Sequence, residues 1–236
     1  MRIFVWLVGI LSVTFAHADA PELHPYKATY AVSYRGIEAG TITMQLAKDA
    51  NATNRYTFET RANPSVLARL VVGRDAVERT TVEVTPDGIR PIHWYLEDGK
   101  NGKDGDGDLT FDWANNKVTG EYEGKQVTLP TQAGLQDRLS IQVAVTAALV
   151  QGREPASIVM VNGDKTREYT YKRGATAQLE TKVGKQETIV YESTRPGSNR
   201  VSKVWHSPSM QYLPLRAEQI RKGKVETVME IVSVEK

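Results

Sequence analysis

An acidic, glycine-rich segment is the part of the chain that looks best suited to chemistry. It carries four aspartates: Asp98, Asp104, Asp106 and Asp108. The run Asp-Gly-Asp-Gly-Asp resembles the start of a calcium loop, which needs alternating oxygen ligands. An EF-hand also needs a glycine after the third aspartate and a glutamate at the end of the loop, where this chain has Leu109 and Asn115. We therefore predict a polar hairpin loop here and no metal site.

Nucleophilic catalysis has no visible machinery in the sequence. It needs an activated serine or cysteine beside a base, but cysteine is absent and no Gly-x-Ser-x-Gly motif occurs. The spacing of His24, His93 and His206 does not suggest metal ligands. Gly163-Asp164-Lys165-Thr166 lacks the earlier glycine of a P-loop. We expect no catalytic residue and no cofactor, and hence a non-enzymatic protein; an enzyme of unrecognised type is an alternative.

Asp137 and Arg138 stand where a helical pattern begins. An aspartate in the first turn of a helix is stabilised by the helix dipole. Arg138 is long enough to reach a carboxylate on a neighbouring sheet. We predict a capping and pairing role for these two residues.

The N-terminus has the pattern of a secretory signal peptide. Met1-Arg2 is followed by an apolar run from Ile3 to Phe15 and by Ala16-His17-Ala18. This short run ends in small residues and does not reach the roughly 20 apolar residues that a membrane-spanning helix needs. We predict cleavage after Ala18, a periplasmic location and no permanent membrane anchor.

Composition narrows the classes of partner. The formal net charge is +2 and the charges are interspersed, so we expect no nucleic-acid partner. Because cysteine is absent, disulfides and thiolate metal sites are excluded and a hydrophobic core must supply the stability.

Alternation of apolar and polar residues dominates the rest of the chain. In the first strand one face carries Tyr26, Ala28, Tyr30, Val32 and Tyr34. This period is typical of half-buried strands, and the short turns between them favour antiparallel pairing. One segment differs: Leu135 to Val150 contains no Gly or Pro and repeats apolar residues at helical spacing. Asn63 and Pro64 also indicate the start of a short helix.

These patterns predict a mainly β protein with a single domain over residues 19–236. We expect one antiparallel, strongly curved sheet or half-barrel around one long helix near 135–150. The wide apolar face of that helix predicts burial on most sides, against the concave face of the sheet.

Several segments together carry a family resemblance. They are Tyr34-Arg35-Gly36-Ile37 with Ala39-Gly40, Gln136-Asp137-Arg138-Leu139-Ser140, Val161-Asn162-Gly163-Asp164-Lys165, and Trp205 with Leu213-Pro214-Leu215-Arg216. The chain resembles the proteobacterial family of domains of unknown function numbered three-one-zero-eight, a group of predicted periplasmic proteins. The resemblance spans nearly the whole mature chain and implies a periplasmic, single-domain protein. It implies no activity and no catalytic residue.

The aromatic residues suggest a binding function. Long antiparallel strands around a buried helix resemble, at the level of architecture alone, the half-barrel carriers of lipoproteins and lipids in the periplasm. Barrel mouths and open sheets commonly hold apolar ligands. We predict a pocket for a lipid or other apolar small molecule, lined by Trp94, Trp113, Trp205, Leu139 and Val143. His93 adjoins Trp94 and His206 adjoins Trp205, so on an alternating strand one member of each pair faces inward. The alternatives are that these residues only fill the core, and that the protein is an envelope protein that binds another protein.

Overall fold

The computed structural model describes residues 20–72, 75–100, 102, 105–155 and 157–235. The predicted signal peptide, its cleavage site after Ala18, and Asp104 of the acidic segment lie outside the described residues.

Fourteen strands form the body of the molecule. Their bounds are β1 Tyr26–Tyr34, β2 Ile37–Lys48, β3 Arg55–Pro64, β4 Val77–Thr85, β5 Gly88–Glu97, β6 Gly107–Asp112, β7 Lys117–Tyr122, β8 Lys125–Pro130, β9 Ser157–Asn162, β10 Lys165–Thr181, β11 Gly184–Thr194, β12 Arg200–Ser207, β13 Leu213–Arg221 and β14 Lys224–Glu235. The described helices are α1 Val66–Val72, α2 Ser140–Val150 and a 3₁₀ turn, Pro208–Met210.

All the strands belong to one antiparallel sheet. Their order is β8-β7-β6-β5-β4-β3-β2-β1-β14-β13-β12-β11-β10-β9. Consecutive strands in the chain are neighbours in the sheet, as short turns between them require, except β8 and β9, which are the two edges; β1 pairs in addition with β14. The predicted mainly β fold with a single antiparallel sheet is confirmed. The edge strands β8 and β9 do not pair with each other, so the sheet is not closed into a barrel.

The alternating pattern predicts the faces of the strands well. In β1, Ala28 and Tyr30 are buried and belong to the main core. Pairing between β1 and β2 shifts register after Val32 because Ala39 is an extra residue in β2. Tyr34, the last residue of β1, which the sequence placed on the same face as Tyr30, is 47% exposed.

The prediction of a long helix over 135–150 is wrong, because α2 has only 11 residues and begins at Ser140. Gln136 is paired with a strand and residues 138–139 form a turn. The backbone N–H of Gln136 donates to Val159 O at 2.9 Å, and that of Val161 donates to Gln136 O at 2.8 Å. Gln136 thus forms a parallel bridge to Met160 of β9. A backbone that is paired with a strand cannot also make the i→i−4 bonds of a helix.

The short helix near Asn63 also begins later than predicted. Pro64 is the last residue of β3, where it pairs with Gly40. Ser65 precedes α1, and its Oγ accepts a hydrogen bond of 3.4 Å from the N–H of Ala68.

α2 lies inside the curve of the sheet. Val143 and Ala147 pack into the main core, which is built largely from β1–β7. Val145 and Leu149 pack instead with Tyr191 of β11 in a second cluster. Every residue of α2 is buried or half-buried. The helix therefore contacts both arms of the sheet, and its predicted burial on most sides is confirmed.

Candidate functional site

Asp137 anchors the segment that leads into α2. Its side chain is 1% exposed. Oδ1 accepts the backbone N–H groups of Leu139 and Ser140, each at 2.7 Å. Oδ2 accepts a hydrogen bond of 2.6 Å from the Thr80 hydroxyl of β4. Burial raises the pKa of Asp137 to about 6, although these hydrogen bonds favour the charged form and oppose the shift.

Arg138 extends this anchor to the sheet. Its Nη1 donates to the Tyr122 hydroxyl at 3.0 Å, and its Nε lies 3.9 Å from Oε1 of Glu78. The same Glu78 oxygen accepts a hydrogen bond of 2.8 Å from Nε1 of Trp94. The predicted reach of Arg138 to a sheet carboxylate is confirmed. Asp137 lies before the helix and not in its first turn as predicted, but its carboxylate accepts the N–H groups of Leu139 and Ser140, where the helix begins. These residues position α2 and leave no reactive group free.

An apolar cavity of about 340 Å³, which we call the inner cavity, lies between α2 and the arm of the sheet that begins at β1. Its apolar lining is Val32, Ile42, Met44, Ile141, Val145, Tyr171, Tyr191, Val204, Pro214, Ala217 and Met229. Its polar lining is Gln142, Ser193, Ser202, His206, Gln219 and Thr227. None of the described residues that line it is Asp, Glu, Lys or Arg. The space is therefore suited to an uncharged guest, because an unpaired charge there would lose its hydration.

His206 is a buried titratable side chain in the lining of the inner cavity. It is 5% exposed, and its Nδ1 lies 3.0 Å from the carbonyl oxygen of Tyr212. Burial lowers the pKa of His206 to about 4, and this hydrogen bond opposes the shift in part. The ring is therefore neutral near pH 7 with its proton on Nδ1, since a carbonyl can only accept. Nε2 is left as an acceptor, with no hydrogen-bond partner in the part of the chain that the structure describes.

Two further cavities open near the two ends of α2. The rim cavity, about 540 Å³, lies beside Arg138 and contains charged residues, among them Glu78 and Lys100. It shares Ile42 with the inner cavity. The base cavity, about 310 Å³, lies beside Val150 at the other end of the helix and is lined partly by residues 22–26. The rim cavity, with its charged residues, therefore adjoins the apolar inner cavity at Ile42.

The five side chains predicted to bind a ligand do not meet at one cavity. Trp94 is 1% exposed in the core, and Trp113 donates from Nε1 to the Pro91 carbonyl at 2.7 Å. Trp205 faces away from α2, where Lys203 and Arg216 lie over its ring. Leu139 is buried in the core, and Val143 borders a void of only about 20 Å³. None of the five lines the inner, rim or base cavity.

Sequence reasoning identified the strand β12 but chose the wrong face of it at the cavity. Ser202, Val204 and His206 point into the inner cavity, so Trp205 between them points outward. The alternation in the sequence did contain this signal. Alternation shows that Trp205 and His206 face opposite sides of the sheet, but it does not show which side is the inner one. The prediction placed the larger aromatic residue, Trp205, on the inner side, and this was wrong. Tyr171 and Tyr191, which also line the cavity, were not singled out by the sequence.

The acidic segment forms a closed polar loop in its described part. Oδ1 of Asp106 accepts the backbone N–H of Asp98 at 3.0 Å, and Oδ2 of Asp98 lies 3.6 Å from Nζ of Lys100. Over the described ranges, no group of three or more His, Asp or Glu residues is arranged to hold a metal ion. Since Asp104 lies outside these ranges, a loop without a metal stays a prediction.

Within the residues that the structure covers, no helix combines the length and the apolar character needed to span a bilayer.

Comparison with solved structures relates the fold to one known protein. A β-barrel-like protein of the domain of unknown function DUF1849 from Brucella abortus aligns with a TM-score of 0.56 and 11% identity, covering 89% of this chain and 97% of that one. At this identity the likeness concerns the fold alone.

Two other structures align less well. One, described as a candidate exported protein with a YmcC-like fold from Bacteroides fragilis, has a TM-score of 0.36 and 11% identity over 92% of this chain and 98% of that one. Another, described as a candidate lipoprotein from Parabacteroides distasonis, has a TM-score of 0.39 and 10% identity over 91% and 97%.

The sequence itself places the chain in a family. No significant match exists among curated proteins. Residues 29–230, however, match a family of proteins of unknown function, and this is the family that the sequence motifs resembled. Since the match covers most of the chain, the protein belongs to the family of proteins of unknown function DUF3108.

Proposed function

We propose that this protein is a non-enzymatic binding protein of the bacterial envelope that holds an uncharged, lipid-like ligand in the inner cavity. The observation that carries the proposal is an apolar space of about 340 Å³ beside α2, with no charged residue in its described lining. Small-molecule sites are typically apolar clefts of roughly 300–1,000 Å³. An apolar void left empty lowers stability, so a guest with a greasy body would stabilise the fold.

The polar groups of the cavity would orient such a ligand. Ser202 accepts a hydrogen bond of 2.9 Å from Nε2 of Gln219, and both side chains line the cavity. His206 contributes Nε2 as an acceptor. An uncharged ligand with a hydroxyl or amide N–H group would satisfy that nitrogen, whereas a carboxylate would find no cation among the described lining residues.

The envelope location rests on the N-terminal pattern. A basic start, an apolar run and Ala16-His17-Ala18 together form a secretory signal peptide. Cleavage after Ala18 would release a periplasmic protein without a permanent anchor. A carrier in this compartment would have apolar ligands on both membranes that border it.

The alternative, a protein that binds another protein through a sheet edge, has less support. An edge strand recruits a partner through unpaired backbone groups. β8 is one edge, and it begins with Lys125 and ends with Pro130, two residue types that protect strand edges. The other edge, β9, is partly covered by its bridge to Gln136.

Binding of an uncharged probe tests the proposal. N-phenylnaphthylamine fluoresces in apolar surroundings, so titration into the protein should give a saturable rise in emission. A long-chain alcohol should displace it more strongly than the fatty acid of equal length, because none of the described lining residues is a cation. Ala217→Trp should abolish the saturable signal, since Ala217 borders the cavity and the larger side chain would occupy it.

The matched control is Ala31→Trp. Ala31 is exposed, in β1 next to Val32, so the same change is made outside the cavity. Melting curves identify any variant that fails to fold, and the smaller Ala217→Val then replaces Ala217→Trp. Equal probe binding by folded Ala217→Trp and Ala31→Trp would contradict the proposal, as would no binding to the wild-type protein.

A further inference from the structure

Exposed apolar side chains gather at one end of the sheet. Large hydrophobic residues with 40% or more of their surface exposed include Tyr34, Ile37, Val66, Leu67 and Val225. Val66 and Leu67, the first two residues of α1, are 80% and 71% exposed. They are exposed although α1 lies against β2 and β3. We call these five residues the rim patch.

Backbone contacts bring the segments that carry the rim patch together. Tyr34 pairs directly with Ile37 across the β1–β2 turn and with Thr227 of β14. The N–H of Ser65, which precedes α1, donates to the Ala39 carbonyl at 2.9 Å and so places Val66 beside the start of β2. Exposed apolar residues scattered singly are ordinary, but a contiguous group indicates an interaction surface.

Positive charge surrounds the rim patch. The segments 34–38, 65–69, 195–200 and 221–226, which meet at this end of the sheet, contain two acidic residues, Glu38 and Glu226, and seven basic residues, Arg35, Arg69, Arg195, Arg200, Arg221, Lys222 and Lys224. The basic residues are exposed, apart from the half-buried Arg195. Arg69 lies 3.5 Å from Asp75, just outside these segments, and the remaining positive excess is still larger than the net charge of +2 of the entire chain.

Glu226 does not neutralise this end. It pairs with Arg35 at 2.8 Å. That contact, together with Arg221 and Arg200, lowers the pKa of Glu226. One carboxylate thus lies among three guanidinium groups, and the surroundings of the patch stay basic.

The rim patch is continuous with the inner cavity. Val32 and Thr227 line that cavity, and they lie in the same strands as Tyr34 and Val225, two residues away along each chain segment. Ser202 and Gln219 also line the cavity, and Arg200 and Arg221 lie two residues from them along β12 and β13. The apolar cavity therefore opens toward the end of the sheet that carries the patch.

We propose that the rim patch docks on a lipid bilayer that contains anionic headgroups. The exposed apolar side chains would enter the interface, while the surrounding arginines and lysines would contact phosphates, a combination typical of peripheral membrane binding. The mouth of the inner cavity would then face the bilayer. The docking surface goes beyond the ligand-binding proposal and does not depend on it, because vesicle binding is measured without any ligand.

Vesicle flotation tests the docking surface. The protein is expressed from the complete chain, purified from the soluble fraction, and mixed with vesicles of phosphatidylcholine alone or with added phosphatidylglycerol. Wild-type protein should float with the anionic vesicles, and raising the salt concentration should release it, because screening weakens exposed charges. Ile37→Ser/Leu67→Ser should reduce the floating fraction strongly. Lys222→Gln/Lys224→Gln should weaken binding about tenfold or more.

The controls are matched in chemistry and differ in position. Val232→Ser removes an apolar side chain that is 40% exposed and lies outside the patch. Lys182→Gln/Lys185→Gln removes two exposed lysines around the β10–β11 turn. Both control proteins should float like wild type.

Three results would overturn the proposal. The first is wild-type protein that stays with the soluble fraction at low salt. The second is equal loss of binding in the patch variants and the controls. The third is a wild-type dimer that the patch variants turn into monomer without any change in flotation, because the patch would then bind a second copy of the chain.

Discussion

The hydroxyl of Thr80 in β4 donates a hydrogen bond of 2.6 Å to Oδ2 of Asp137, 57 positions later in the chain. Through this contact, and through the side-chain bond of 2.8 Å from Gln136 to the Ile89 carbonyl, the segment before α2 is joined to β4 and β5. The backbone bridge between Gln136 and Met160 joins the same segment to β9, an edge strand of the other arm of the sheet. Residues 136–140 therefore hold the curve of the sheet and fix the helix that borders the inner cavity.

The buried carboxyl of Asp137 should make stability depend on pH. Its folded-state pKa is raised to about 6 from 3.8, so the folded protein retains a proton that the unfolded chain releases between these values. The contribution of Asp137 to the free energy of unfolding should fall as pH rises from about 4 to about 6, by on the order of 3 kcal/mol. Denaturant titrations of wild type and Asp137→Asn measure this as a difference that changes across the window. A difference that is constant from pH 4 to 7 would show that the carboxyl is not perturbed.

His206 should have the opposite effect. Its folded-state pKa is lowered to about 4 from 6.5. Between these pH values the unfolded chain is protonated at His206 and the folded protein is not. Its contribution to stability should be complete above about pH 6.5 and be lost as pH falls toward 4, again by on the order of 3 kcal/mol. His206→Asn is the comparison, because an amide can still donate to the Tyr212 carbonyl without titrating. If the imidazole carbon resonances in NMR spectra titrate near pH 6.5, the ring is not buried as described.

Gly40 is expected to tolerate no side chain. It has a φ of +125°, and a Cβ there would lie 2.3 Å from the Asn63 carbonyl oxygen and 2.7 Å from the Ser65 nitrogen. Gly40→Ala should lower the free energy of unfolding by at least about 2 kcal/mol more than Gly36→Ala. Gly36 is the matched control, since its φ of +81° carries similar strain while its Cβ would meet nothing within 4 Å. Equal melting temperatures for the two variants would show that β2 and the start of α1 are further apart than described.

The mature protein should begin at Asp19. N-terminal sequencing of the protein from a periplasmic extract measures this directly. Ala18→Glu should block processing, because the residue before the cleavage site must be small, whereas Ala20→Glu, just beyond it, should not. Recovery of intact Met1 from a membrane fraction of the wild-type strain would refute both the cleavage and the proposed location.

Much of the fold could be predicted from the sequence, because a period of two residues is a direct record of which face of a strand is buried. Ala28 and Tyr30 follow it, and so do the turns that make consecutive strands pair. Tyr34, the last residue of β1, is exposed all the same. The bulge at Ala39 in β2 was not predicted, because a bulge depends on pairing that a single sequence does not contain. The helix was predicted too long because Leu135 and Leu139 have helical spacing. The bridge from Gln136 to Met160 prevents the helix there, and such a long-range contact is not visible in the local pattern.

The candidate site was less predictable for a related reason. At Trp94 and His93 the tryptophan faces inward, whereas at Trp205 and His206 the histidine does. Alternation states only that the members of each pair face opposite ways. Which member is buried depends on the strands opposite: Arg216 pairs with Trp205 on one side of the sheet, while α2 lies on the other.

Native mass spectrometry tests the central claim most directly, namely that the inner cavity holds an uncharged, lipid-like ligand. The protein is purified from cells without detergent, and its mass under native conditions is compared with its mass after denaturation. We predict an additional mass, an organic extract that contains an uncharged lipid-like molecule, and the loss of both in folded Ala217→Trp but not in folded Ala31→Trp. Wild-type protein that shows only the mass of the polypeptide chain, or an additional mass that Ala217→Trp retains in full, would contradict the claim.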